Sequence, residues 1–512
     1  MEYKLNRESL PACETVYDGC AEQPIDLDFS LPDYCPDIQK ILKCQVTPSV
    51  TAQNLMGDRL EVEGTVTIRV LYLDASGENI RCCENNHPFT ASIAIRQPAD
   101  NAVAFTKTRV EYVNCRATSP RRLDIHGAFS VCARVIRQVQ DEIVSRIEGD
   151  DIQQKTRTLD VSRSAGLAQQ QFSVTEVLEI GGGKPPAETI VRSGVTASVQ
   201  DFKVVSNKLI LRGEAVLRVL YSPGIDSPAL EAMEYEIPFS QMIDCAGVTE
   251  ECTCDVALDV MNYRVEAKSD SSGENTLLET EIKLMATACA WQDAQITAVT
   301  DAYSTRYELS ADYRQRAFER LSGILSDTSA QKYTMEFDSG GVSRIIDLWN
   351  EVSTVAAEIQ DKQISYKGRL NVCLLALTAE GKPFYQERMF DYAFARDYAG
   401  GSAAVRCDPR VSVQDVSYRI TGAASLEVKV ELRLASSVFE QASCRAVADI
   451  SADEEHPREK DTSAALTIYY ADPSESLWDI ARMYCTSADA IREENGLAED
   501  FIPENGMLLI PM

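Results

Sequence analysis

The side chains most suited to chemistry are few and scattered. The chain has three histidines, His87, His126 and His456, each far from the others in sequence. The run Gly181-Gly-Gly183-Lys184 has the lysine and glycines of a phosphate loop. No Ser or Thr follows the lysine, however, and no second glycine stands at the required spacing, so it reads as a loop between modules. Cys252-Thr-Cys254 is the tightest cysteine spacing besides the adjacent Cys82-Cys83. On a strand its two side chains would share a face and supply half of a zinc site, but no second pair and no nearby histidine completes it. A Gly-x-Ser-x-Gly elbow and a dinucleotide fingerprint are both lacking. Carboxylates are abundant, and counting them singles out no glycosidase-type pair. The expectation is a chain that is not an enzyme and uses no cofactor and no metal.

At 512 residues the chain exceeds what one hydrophobic core supports, and 45% hydrophobic with 25% charged residues is ordinary globular composition. Its formal net charge of −29 opposes polyanion binding, which depends on Lys and Arg replacing counterions along phosphates. Arg121-Arg122 and Arg134 with Arg137 are too sparse to reverse that, so no nucleic acid is expected as a partner. The first residues, Met1-Glu-Tyr-Lys-Leu-Asn-Arg-Glu, lack the apolar core of a signal peptide. The longest wholly apolar run in the module strands, Val372 to Leu377, falls far short of a membrane span. These features predict a cytoplasmic protein whose sixteen cysteines are mostly small buried hydrophobes.

The elements that organise the chain emerge from an internal repeat. Leu60 to Tyr72, Leu209 to Tyr221 and Ile364 to Ala376 share one pattern centred on Gly64, Gly213 and Gly368. Apolar residues alternate along each: Leu60, Val62, Val66, Ile68, Val70 and Tyr72 in the first; Leu209, Leu211, Ala215, Leu217, Val219 and Tyr221 in the second; Ile364, Tyr366, Leu370, Val372 and Leu374 in the third. Period two over this length predicts a half-buried antiparallel strand, with the glycine at a bulge or a close backbone approach. Each copy continues through a turn into a return strand reaching Pro88-Phe89, Pro238-Phe239 and, in the third, Tyr392. A second hairpin closes each copy, giving six or seven short strands per module.

These repeats resemble the SPOCS domain, a spore-coat-associated module. The second copy carries the resemblance best, through Gly183-Lys-Pro-Pro186, Lys208 to Gly213, Val219-Leu-Tyr221 and Glu236 to Asp244. The first matches through Pro36-Asp37-Ile38 and Gly64 to Tyr72. The third is the most diverged.

The C-terminal texture differs. Leu466 to Tyr470 and Met507 to Pro511 read as strands. Ser474 to Tyr484 reads as a helix capped by Ser476 with Asp479 three residues on, and Ser487 to Asn495 as a helix stopped by Gly496. This βααβ unit resembles the LysM domain through Leu477-Trp478-Asp479-Ile480-Ala481, Tyr484, Ile491, Asn495-Gly496-Leu497, Gly506 and Leu509-Ile510-Pro511. The resemblance implies a shallow groove for peptidoglycan or another N-acetylglucosamine glycan, or for a protein partner. Its walls would be Ser474, Glu475, Ser476 and Leu477 on one side. Leu497, Ala498, Glu499, Asp500, Phe501, Ile502 and Pro503 would form the other. Ser474-Glu475-Ser476 replaces the family's Gly-Asp-Thr, and three acids, Glu475, Glu499 and Asp500, surround the groove. Trp478, inside the helix, is expected to pack in the core.

The predicted fold is mainly β: three tandem antiparallel β-sandwich-like modules and a small LysM domain. Expected boundaries are an N-terminal segment 1–22, modules 23–150, 175–298 and 334–448, linkers 151–174 and 299–333, a charged linker 449–464, and the LysM domain 465–512. The second linker contains an amphipathic stretch, Tyr313 to Leu325, read as a possible helix. SPOCS repeats followed by one LysM domain imply a spore-coat scaffold in the mother-cell cytoplasm at the forespore surface. Its expected partner is a SpoIVA-like coat basement protein. The alternative is a peptidoglycan-binding protein of the spore cortex or cell wall.

Overall fold

A computed structural model describes residues 3–95, 102–181, 183–224, 227, 229–337, 341–360, 362–398, 400, 404–422, 424–458, 466–472, 475–497, 502 and 506–511. The molecule is mainly β, built from antiparallel sheets, and among the described residues its two helices lie in the C-terminal unit.

One topology occurs three times. In the first module a meander of β2 (Ile38–Met56), β3 (Arg59–Asp74) and β4 (Ile80–Ala94) faces a sheet ordered β1 (Lys4–Ser30), β6 (Arg122–Glu148), β5 (Ala102–Ser119). The second module repeats this with the meander β8 (Thr189–Val205), β9 (Lys208–Ser222), β10 (Glu231–Asp244). Its other sheet is ordered β7 (Ile152–Glu179), β12 (Leu277–Ser304), β11 (Thr253–Lys268). In the third, β14 (Val342–Gln360), β15 (Gln363–Thr378) and β16 (Pro383–Asp397) face β13 (Tyr307–Glu336), β18 (Ser425–Pro457) and β17 (Ala404–Gly422). The alternating residues of β3, β9 and β15 fill the three sandwich cores, almost all fully buried.

The central glycines are there for close approach. Gly64 pairs with Phe89 and Gly213 with Phe239, each ring lying across the glycine of the neighbouring strand. A Cβ on Gly64 would come within 2.3 Å of the Phe89 ring and 2.4 Å of the Ser49 carbonyl oxygen; on Gly213 the distances are 2.4 Å to Phe239 and 2.6 Å to the Ser198 oxygen. In the third module Gly368 pairs with Tyr392, as the spacing predicted. A second lock joins the first two copies: Tyr72 Oη donates to the Pro36 carbonyl at 3.1 Å and Tyr221 Oη to the Pro185 carbonyl at 3.0 Å. Ala376 stands at the corresponding position of the third copy.

The modules are not beads in series; they close on one another. Each meander carries a bulge at the same place, leaving Leu42, Val191 and Ile346 unpaired in their ladders. Those three residues join Leu71, Leu220 and Leu375, the matching positions of the central strands, in one apolar cluster with Leu73, Ile80, Leu230 and Trp349. At the other end the outer halves of the long strands converge from all three modules. Leu10 and Ile143 there meet Leu159, Val161, Ile296, Ala298, Phe318 and Ala446. Ion pairs span all three junctions: Arg134 with Asp408 at 3.2 Å, Arg163 with Glu8, and Arg192 with Asp347 at 2.5 Å. Arg410 meets Asp255 at 2.6 Å, and Ser437 donates to the same carboxylate.

Several expected segments are therefore corrected. Most of 1–22 lies in β1, paired with β6, and 151–174 lies almost wholly in β7. The stretch 299–333 is the end of β12 and most of β13, with Tyr313 to Leu325 in strand and not in a helix. Phe318 and Leu321 are both buried although no register shift separates them, so β13 is covered on both faces there and its apolar spacing mimics a helical one. The charged residues 449–457 extend β18, while 459–464 lie outside the described residues. Cys20 and Cys132, opposite one another on β1 and β6, form a disulfide, and the other fourteen cysteines are free. Cys252 sits in the turn before β11 instead of on the strand. No helix among the described residues is long and apolar enough to cross a membrane.

Candidate functional site

The C-terminal unit pairs β19 (Leu466–Ala471) with β20 (Gly506–Pro511) and packs α1 (Leu477–Met483) and α2 (Ala488–Asn495) on one face. Asn495 ties α2 to β20. Its Nδ2 donates to the Leu509 carbonyl and its Oδ1 accepts from the Leu509 N–H, both at 2.7 Å. Gly496, at φ 61°, supplies the left-handed turn that ends α2, and Ser487 caps the start of that helix, accepting from Ala490 N at 3.0 Å. Ser476 has the extended backbone of a cap, but its side chain makes no capping hydrogen bond. The expected Ser476–Asp479 box is therefore not formed.

The expected groove is only partly described. Ser474, Ala498, Glu499, Asp500, Phe501 and Pro503 lie outside the described residues. Leu477 and Ile502 are core residues, 1% and 2% exposed, and the half-buried Leu497 packs against the same core. Glu475 is held from two sides: Tyr469 Oη donates to one carboxylate oxygen at 2.7 Å and Asp472 N to the other at 2.9 Å. The hydrogen bond from Tyr469, then that from Asp472, holds the Glu475 carboxyl below its usual range. Glu475 in turn pushes the Tyr469 phenol up to about 12. The described rim therefore engages its own polar groups.

The opposite face of the two-stranded sheet is apolar and open. Leu466, Ile468, Tyr470 and Met507 share it, with Ile468 57% and Tyr470 77% exposed, and Leu509 lies between them opposite Ile468. Contiguous exposed apolar surface of this kind is characteristic of a contact site.

Trp478 packs against the domain's own core, as expected, and from there also reaches the body. Its indole Nε1 donates to Asp301 Oδ2 on β12 at 2.8 Å, and its ring meets Tyr303 edge-to-face at 4.8 Å. Arg482 and Tyr313 also donate to Asp301. Burial pushes the Asp301 carboxyl up, but the bonds from Trp478, Tyr313 and Arg482 outweigh it and hold the group below its usual range. Tyr303, 2% exposed, donates to the Thr486 carbonyl at 2.8 Å. Nothing in the sequence marked Asp301 or Tyr303, which fell inside a segment read as a linker.

Residues 37–118 and 186–268 match the model of the SipL SPOCS domain, and residues 472–511 match that of the LysM domain. The chain thus carries SPOCS domains and a C-terminal LysM domain, both of them binding modules and not catalytic ones. The two SPOCS matches run from the meander into β5 and β11, leaving the long strands β1, β6, β7 and β12 outside. Neither includes the third module, whose strand order is the same. No curated protein and no solved structure matches the chain.

Proposed function

From a chain that joins SPOCS domains to a LysM domain, we propose a non-enzymatic scaffold of spore-coat assembly that binds a protein of the coat basement layer, SpoIVA or its equivalent. Its place is the mother-cell side of the forespore surface. The observation that carries this reading is the open apolar face of Leu466, Ile468, Tyr470 and Met507 on the LysM sheet. Apolar surface of this kind favours a protein ligand, since sugar binding relies on directed hydrogen bonds, for which this face offers only the Tyr470 hydroxyl. Here Trp478 is turned toward Asp301 and Tyr303, and Glu475 is occupied by Tyr469 and Asp472.

The test is a pull-down from sporulating lysate, run beside co-sedimentation with insoluble peptidoglycan. Intact protein is compared with Ile468→Glu and with a chain ended at residue 463. The expected result is retention of SpoIVA by intact protein, loss of it in both variants, and no sedimentation with the wall material. Sedimentation that disappears on truncation but survives Ile468→Glu would assign the LysM domain to peptidoglycan instead.

A further inference from the structure

The contact between the LysM domain and the body is built like an interior and not like a tether. Tyr303 of β12 belongs to the same buried cluster as Leu477, Ile480, Ala481, Ile491, Leu508 and Ile510. Its hydroxyl caps the Thr486 carbonyl in a bond buried from solvent, and Arg482 stands 5.4 Å from its ring. Asp301, two residues earlier, gathers three donors from two directions: Trp478 and Arg482 from α1, and Tyr313 from β13. A third point of attachment lies in the chain leading to the domain. Arg458 N donates to the Arg306 carbonyl at 2.8 Å, and its guanidinium donates to the Arg482 carbonyl at 3.0 Å.

Each of these contacts falls on one side of α1. Trp478 and Arg482 are half-buried and Thr486 is buried against the body, while the β19–β20 sheet face points to solvent. We infer that Asp301 and Tyr303 form a latch that holds the LysM domain in one orientation and shields the Trp478–Arg482 face of α1 from any ligand. A ligand reading that face has to displace Asp301, whereas one reading Ile468 and Tyr470 does not. An ion pair alone would make a weak latch. The carboxylate is worth more here because it also accepts charge-assisted hydrogen bonds from a half-buried indole N–H and a half-buried phenol. This inference is independent of which ligand the domain takes.

The test uses the full-length chain labelled with 5-fluorotryptophan. Its three tryptophans, Trp291, Trp349 and Trp478, give three fluorine resonances, and Trp478→Phe identifies the third. Asp301→Asn keeps the shape of the side chain and removes its charge. The expected result is movement of the Trp478 resonance alone, with a larger solvent isotope shift and about tenfold faster amide exchange across residues 477–486. An unmoved Trp478 resonance with unchanged exchange would overturn the latch. If all three resonances lose dispersion, the variant has unfolded, and Tyr313→Phe, which deletes only one donor, decides. Selective movement of the Trp478 signal supports the latch, and no movement overturns it.

Discussion

The residues that set the module's geometry are small. Gly213→Ala places a methyl 2.4 Å from the Phe239 ring and 2.6 Å from the Ser198 carbonyl oxygen. The ring can tilt, but the backbone oxygen cannot without breaking its ladder. A loss of about 1–3 kcal/mol is expected in urea unfolding, the usual size for overpacking. Adding Phe239→Ala to that variant should not restore stability, because the carbonyl clash remains. A second prediction concerns Glu475, whose carboxylate favours the protonated phenol of Tyr469. Glu475→Gln should bring the Tyr469 ionisation down from about 12 toward 10, read by ring-carbon NMR across a pH series. Because the Glu475 carboxyl is depressed, its contribution to the domain is present above its ordinary value of 4.5 and fades as pH falls through the lower folded value. Gly64 and Gly213 were legible because alternation on both sides left them no other purpose. The Ser476 cap was misread because its residue type and spacing fit a box that the side chain does not make.

Among the elements, the six central and return strands were legible from period two and turn chemistry, while the long strands were not. In β13 the register runs unbroken from Phe318 to Leu321, so these two buried side chains, three residues apart, lie on opposite faces of the strand. The apparent helix is a strand covered on both faces, a case where the local pattern does not encode its cause. The segment 1–22 reads only as an N-terminal segment because its polar run Asn6-Arg7-Glu8-Ser9, where a register shift falls between Asn6 and Arg7, breaks the period-two pattern. Its pairing with β6 predicts otherwise. Deleting residues 1–22 should expose the β6 edge along Val131 to Ile147 and lower the first module's thermal midpoint by several degrees or prevent its folding. Circular dichroism of the deletion against the intact chain measures this. A midpoint within a degree of the parent would contradict the pairing's importance.

At the scale of the whole molecule, the closure of three modules had no signature in the sequence. Leu42, Val191 and Ile346 look like ordinary strand residues; only the bulges beside them turn them toward the other modules. The junction of the second and third modules depends on Asp255, 8% exposed, which binds Arg410 and Ser437. Asp255→Ala leaves a guanidinium without its carboxylate. Since Arg410 is about a third exposed, solvent softens the loss to about 1–3 kcal/mol. Urea unfolding followed by the tryptophans of both modules, Trp291 and Trp349, should separate into two transitions where the parent shows one. The meeting of Leu71, Leu220 and Leu375 has a further consequence. An assembly that other proteins reach by gathering three separate subunits is here covalently joined, so it does not fall apart on dilution and needs no stoichiometric control. Freed from identity, the lobes can drift: Ala376 and Tyr392 already stand where the first two copies keep Tyr and Phe. Whatever docks on this body meets three unlike modules held to one another in a fixed order.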